Sequence, residues 1–188
     1  MASHFWWYVT RAGGLVAWGL IVASSVWGLL FAMRTFGRRV TSAWMLSVHR
    51  YLGALAIVFT GAHVLAVVAD NFVHFDLADV LVPMAASWHP LAVAWGIVGM
   101  YLLVTIEVTS LLRLHLPARV WRGTHLLSYA LFAVVTVHLL TAGTDADDVL
   151  PEMLAIGIGV VAVFLGALLL TWRSAPRTRR KLASTNGV

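Results

Sequence analysis

Four histidines carry the chemistry legible in this chain: His49 and His63 in one apolar stretch, His125 and His138 in another. Their spacings are 14 residues (63 − 49) and 13 residues (138 − 125), or about 21 and 20 Å along a helix axis at roughly 1.5 Å per residue. Where both stretches cross a membrane in the same direction, His49 and His125 share one depth and His63 and His138 share a second. Imidazoles at two matched depths can clamp two flat macrocycles, each iron taking one axial nitrogen from each helix. Haem iron held by two histidines has no open position, which suits electron transfer rather than oxygen binding. The chain has no cysteine, which excludes C-x-x-C-H attachment, iron–sulfur clusters, disulfides and thiolate nucleophiles. The cofactor expected is therefore non-covalent haem b, two per chain. Fourteen residues on a straight helix return to within about 40° of the starting face, but thirteen land about 140° away. The second stretch must bend, rewind locally, or offer its two histidines in different directions.

Such histidines need membrane-spanning helices to position them. The chain is 61% hydrophobic and 11% charged, with a mean hydropathy of +0.87. A soluble domain carries roughly 25% charge, so a water-soluble enzyme of this length is excluded. Five stretches hold no Asp, Glu, Lys or Arg: Ala12–Met33, Tyr51–Ala69, Val80–Ile106, Gly123–Thr144 and Met153–Trp172. Each is about the ~20 residues a spanning helix requires, and unpaired backbone groups in lipid leave the helix as the workable form. None alternates in polarity as a β-barrel strand does. The expected fold is an all-α integral membrane protein, a helical bundle with five transmembrane helices near 13–33, 43–69, 88–113, 119–143 and 150–172.

Charge orients the bundle. Arg34, Arg38, Arg39 and Arg50 flank the first connection, Arg113, Arg119 and Arg122 the third, and Arg173, Arg177, Arg179, Arg180 and Lys181 follow the fifth span. These are twelve of the thirteen basic residues. Asp70, Asp76, Asp79, Asp145, Asp147, Asp148 and Glu152, seven of the eight acids, fall on the opposite side. The positive-inside rule then sets the N-terminus outside and the C-terminus in the cytoplasm. The basic excess suits anionic headgroups and topology, not nucleic acid. Residues 1–12, with Phe5, Trp6, Trp7 and Tyr8, read as an outer interfacial segment rather than a cleavable signal. Residues 13–173 form the transmembrane domain, and 174–188 a basic cytoplasmic tail. The expected location is a bacterial inner (plasma) membrane.

Around the histidines, Arg50 and Arg122 flank the inner pair and are candidates to meet the propionates of an inner haem. No arginine is comparably placed for an outer one. Gly53, Gly61 and Gly123 offer close backbone approach to a porphyrin. Glu107 is the one acid inside a span, open to a proton or quinone role or to a buried pairing with Arg50. His74 and His89 stand at the outer end as interfacial residues or the border of an acceptor site, and His115 reads as a headgroup contact.

The segments HRYLGALAIVFTGAHV (49–64) and LPARVWRGTHLLSYALFAVVTVHLLTAGTD (116–145), and the helix order around them, resemble the ferric reductase-like transmembrane domain. Ferric reductases, NADPH oxidases and the haem membrane subunit of bacterial methionine-sulfoxide reductase systems share that domain. The resemblance spans roughly residues 40–172. It implies two stacked b haems, His49 and His125 ligating the inner and His63 and His138 the outer, with electrons passing from a cytoplasmic flavoprotein to an outside acceptor. About sixteen residues (188 − 172) follow the fifth span, and no G-x-G-x-x-G fingerprint is present. No flavin or NAD(P) site is expected in this chain, so the donor is expected to be a separate cytoplasmic flavin reductase or a membrane quinol.

The reading is a di-haem b subunit embedded in the lipid bilayer, an oxidoreductase component that moves single electrons to an acceptor at the outer face. Ferric iron, oxygen, a quinone and a partner protein are all open as that acceptor. Two alternatives stand beside it: a quinone-linked cytochrome b of another family, and a non-redox transporter or assembly protein whose histidines are structural.

Overall fold

The computed structural model describes residues 5–32, 41–70, 74–143 and Gly157. Its elements are α1 (Phe5–Ala32), α2 (Ser42–Ala69), the short α3 (Leu77–Leu81), α4 (Pro90–Leu111) and α5 (Ala118–Ala142). No strand occurs among the described residues. α1, α2, α4 and α5 are each long and apolar enough to cross a membrane. The span predicted at 150–172 lies outside the described residues, apart from Gly157.

Helix ends follow local chemistry. Thr41 caps α2, its hydroxyl accepting from the Trp44 N–H at 3.4 Å. Pro90 opens α4 at a position where the missing N–H costs nothing, and Pro117 precedes α5. α3 was not anticipated; the Asp79 carboxylate accepts the Asp76 N–H at 2.9 Å, so two acids counted toward topology also brace a helix. α1 begins at Phe5, eight residues (13 − 5) before the predicted boundary. Arg11 does not end the helix because its guanidinium lies over the Trp7 ring at 4.3 Å, one turn back.

Packing is between neighbours in a ring. α1 lies on α2 and α4 on α5, with narrower contacts of α1 with α5 and of α2 with α4. α2 and α5 make no backbone contact with each other; they sit on a diagonal of the bundle. Indole donors tie the ring together, Trp18 Nε1 donating to Thr136 Oγ1 at 3.1 Å and Trp27 Nε1 to the Met45 carbonyl at 3.0 Å.

The core is a waist. Ile21 of α1, Ala56 of α2, Leu103 and Ile106 of α4 and Leu131 of α5 form one buried cluster. Ala56 lies seven residues from both His49 and His63, or about 10.5 Å in each direction. An apolar layer thus separates two histidine levels. Ala56 is 1% exposed, so Ala56→Leu overpacks this waist and is expected to destabilise the fold by about 1–3 kcal/mol. Reversible unfolding in mixed micelles measures this, with Val58→Leu on the exposed face of α2 as an unaffected control.

Candidate functional site

α2 and α5 stay apart as backbones, yet their histidines meet across the bundle at both levels. The rings of His49 and His125 are 5.9 Å apart between centroids and inclined at 75°; those of His63 and His138 are 6.4 Å apart and inclined at 77°. Two imidazoles on opposite sides of one metal, with bonds of about 2.05 Å and five-membered rings of ~1.33 Å bonds, would place their centroids about 6.4 Å apart. Both observed separations lie close to that span. The pairing of His49 with His125 and of His63 with His138 also makes α2 and α5 parallel.

Three of the four rings are anchored in the same way. His63 Nδ1 donates to the Thr10 carbonyl at 2.7 Å, His138 Nδ1 to the Ala92 carbonyl at 2.8 Å, and His49 Nδ1 to the Ser24 carbonyl at 3.1 Å with the Ser24 hydroxyl at 3.2 Å. A carbonyl only accepts, so Nδ1 carries the proton and Nε2 keeps its lone pair for a metal. Each of these carbonyls lies four residues before a glycine: Thr10 before Gly14, Ser24 before Gly28, Ala92 before Gly96. A Cβ on Gly14 would stand 3.0 Å from His63 Cε1, one on Gly28 3.0 Å from His49 Cε1, and one on Gly96 2.7 Å from His138 Cε1. The glycine opens a socket through which the ring reaches a helix carbonyl already bonded along its own helix.

A cavity of about 450 Å³ surrounds His63 and His138. Trp18, Phe75 and Trp88 contribute its aromatic walls, and Arg11 and Asp70 border it. Arg11 is the one basic residue outside the tally above, and its position at this level was not anticipated. His74 and His89 do not line the cavity. His89 precedes α4 with φ 39° and packs on Trp88 at 4.4 Å.

At the other level Arg50 is exposed beside His49, and Arg122 is exposed with its Nε donating to the Ala118 carbonyl of its own helix at 3.1 Å. Gly53 does not face open space for a macrocycle: the Glu107 carboxylate fills the position where a Cβ would stand. Gly61 and Gly123 have nothing within 4 Å of such a Cβ. α5 is helical without a break from Ala118 to Ala142, so the thirteen-residue spacing is met without interrupting the helix.

Among the described residues no group of three or more His, Cys, Asp or Glu is arranged to hold a metal ion. Each level brings two imidazoles together, a pair that would complement a metal already held in a macrocycle. The residues present fit a b haem at each level. The sockets were missed in the sequence although Gly14 and Gly28 repeat the fourteen-residue spacing of His49 and His63.

Gly96→Ala is expected to weaken haem retention at the His63–His138 level by about 10–100-fold, the usual cost of disturbing a ligand's outer partner. Gly19→Ala, with nothing within 4 Å of the new methyl, is expected to leave it unchanged; haem-to-protein ratio after detergent dilution measures both.

A comparison with protein-family models matches residues 14–136 to the one described as ferric reductase like transmembrane component. No curated protein and no solved structure matches this chain.

Proposed function

Because the chain belongs to the ferric reductase like transmembrane component family, we propose that it is a di-haem b subunit that carries single electrons across a bacterial inner (plasma) membrane, from a cytoplasmic donor to an acceptor at the outer face. The observation that carries this reading is the meeting of two imidazole pairs, at 5.9 and 6.4 Å, between helices whose backbones make no contact. Haem, when bound, supplies a one-electron couple whose potential is tuned by ligation and burial.

The chain's residues do the rest. His49 and His125 would hold an inner haem, and His63 and His138 an outer one. The Thr10, Ser24 and Ala92 carbonyls orient three of these rings and raise their basicity toward iron. The waist of Ile21, Ala56, Leu103, Ile106 and Leu131 keeps water out of the path between the levels. Arg50 and Arg122 stand at the inner end to meet propionates. Arg11, which borders the outer cavity, takes that role at the outer end.

Orientation with the N-terminus outside follows from the basic residues clustered at the His49–His125 end. Those arginines favour an acidic docking partner, such as a soluble flavin reductase. A membrane quinol at the same end is the other source of electrons. Neither changes the assignment of the ligands.

A pyridine haemochromogen assay on purified chain tests the reading, with two b haems per polypeptide expected. His125→Ala is expected to keep one haem and lose reduction from the cytoplasmic side, while His63→Ala keeps the other. Colourless protein, or two full equivalents in His125→Ala, overturns the pairing.

A further inference from the structure

The fourth socket is missing. Fourteen residues before His138 stands Thr124, and fourteen after Gly96 stands Ser110, so the repeat that gives α1 two glycine sockets gives α4 only one. Thr124 turns its hydroxyl back on the Val120 and Trp121 carbonyls of its own helix, at 3.2 and 3.0 Å. His125 follows one residue later, turned about 100° from that line. Its Nδ1 is buried with no hydrogen-bond partner, and so is Ser110 Oγ.

What touches the His125 ring instead is Trp121, one turn earlier on α5. The two rings stack at 5.3 Å between centroids and 24° between planes. On the indole lies the Arg113 guanidinium, 5.0 Å from its centroid, at the end of α4. Arg113, Trp121 and His125 form a ladder that starts in the connection between α4 and α5 and ends at the ligand.

We infer that Trp121 is the positioning residue for His125, holding by aromatic stacking the ring plane that backbone carbonyls hold for His49, His63 and His138. This rests on the di-haem reading above. Stacking fixes the tilt of the imidazole but leaves Nδ1–H without an acceptor. The inner site therefore has one carbonyl-anchored ligand and one stacked ligand, whereas the outer site has two anchored ones. The indole face is the part that matters, and the Arg113 cation adds a second contact to that ring.

The test uses the full chain loaded with haem, with ferric low-spin EPR as readout because that signal reports the angle between the two axial imidazole planes. His125→Ala first identifies which signal belongs to the inner site. Trp121→Leu is expected to move the inner signal, leave the outer one in place, and lower inner-haem retention about tenfold. Trp121→Phe, which keeps an aromatic face and drops the indole N–H, is expected to restore both. Inner signal and retention in Trp121→Leu that match the parent chain would overturn the assignment. Should Trp121→Leu take up no haem, Arg113→Gln carries the test: a shift confined to the inner signal is expected, and an unmoved signal overturns it. A parent chain with no b haem would instead sink the di-haem reading itself, so the two failures are distinguishable.

Discussion

A histidine inside a bilayer has two ring nitrogens and no water to satisfy them, and every functional feature of this bundle follows from how that need is met. For His49, His63 and His138 one nitrogen finds an acceptor, so that the other keeps its lone pair free. In an all-helical membrane protein the available acceptors are carbonyls already bonded along their own helices. Each retains a second lone pair, but the side chain four residues later ordinarily covers it. Glycine at that position uncovers it, and His63, His49 and His138 use the device through Gly14, Gly28 and Gly96.

The same device explains the bundle's shape. Glycines on α1 and α4 let those helices close tightly on their histidine-bearing neighbours, and α2 and α5 lie on the diagonal with their rings between them. Only small and branched residues remain at mid-height, where Ala56 faces Ile21, Leu103, Ile106 and Leu131. Two histidine levels with an apolar layer between them are the outcome. On the proposed di-haem reading that division matters, because a continuous polar path would leak protons along the route of the electrons.

Much of this was open to a reader of the sequence. Charge-free stretches located α2, α4, α5 and the end of α1 to within about two residues, and the histidine spacings pair the same rings that meet in the bundle. The start of α1 was hidden because Arg11 looks like a boundary, whereas a cation–π contact with Trp7 lets the helix run through it. α3 was hidden because five residues show no period. The glycine sockets were harder to see, since a glycine in a membrane helix is commonly a packing residue. Gly53 illustrates the ambiguity: it lies four residues from His49 and was read as porphyrin clearance, but it makes room for Glu107. What distinguishes Gly14 and Gly28 is a relation between helices, and that relation needs the antiparallel register as well as the composition.

That register has a simple numerical form. The residue numbers of Gly14 and His63, and of Gly28 and His49, add to 77 in each case; those of Gly96 and His138, Gly99 and Val135, and Arg113 and Trp121 add to 234. A constant total is the mark of two antiparallel helices that neither slip nor bulge along their contact. Half of 234 is 117, so the centre of the second hairpin falls on Pro117, the residue from which α5 starts. The length of the connection therefore selects which side chain meets which socket more than 20 residues away. One residue added between Leu112 and Pro117 would offer Gly96 a neighbour of His138, turned by about 100°, and neither Val137 nor Leu139 has a proton to give the Ala92 carbonyl. The short loop between α4 and α5 is thus as much a part of the His63–His138 pairing as the histidine itself.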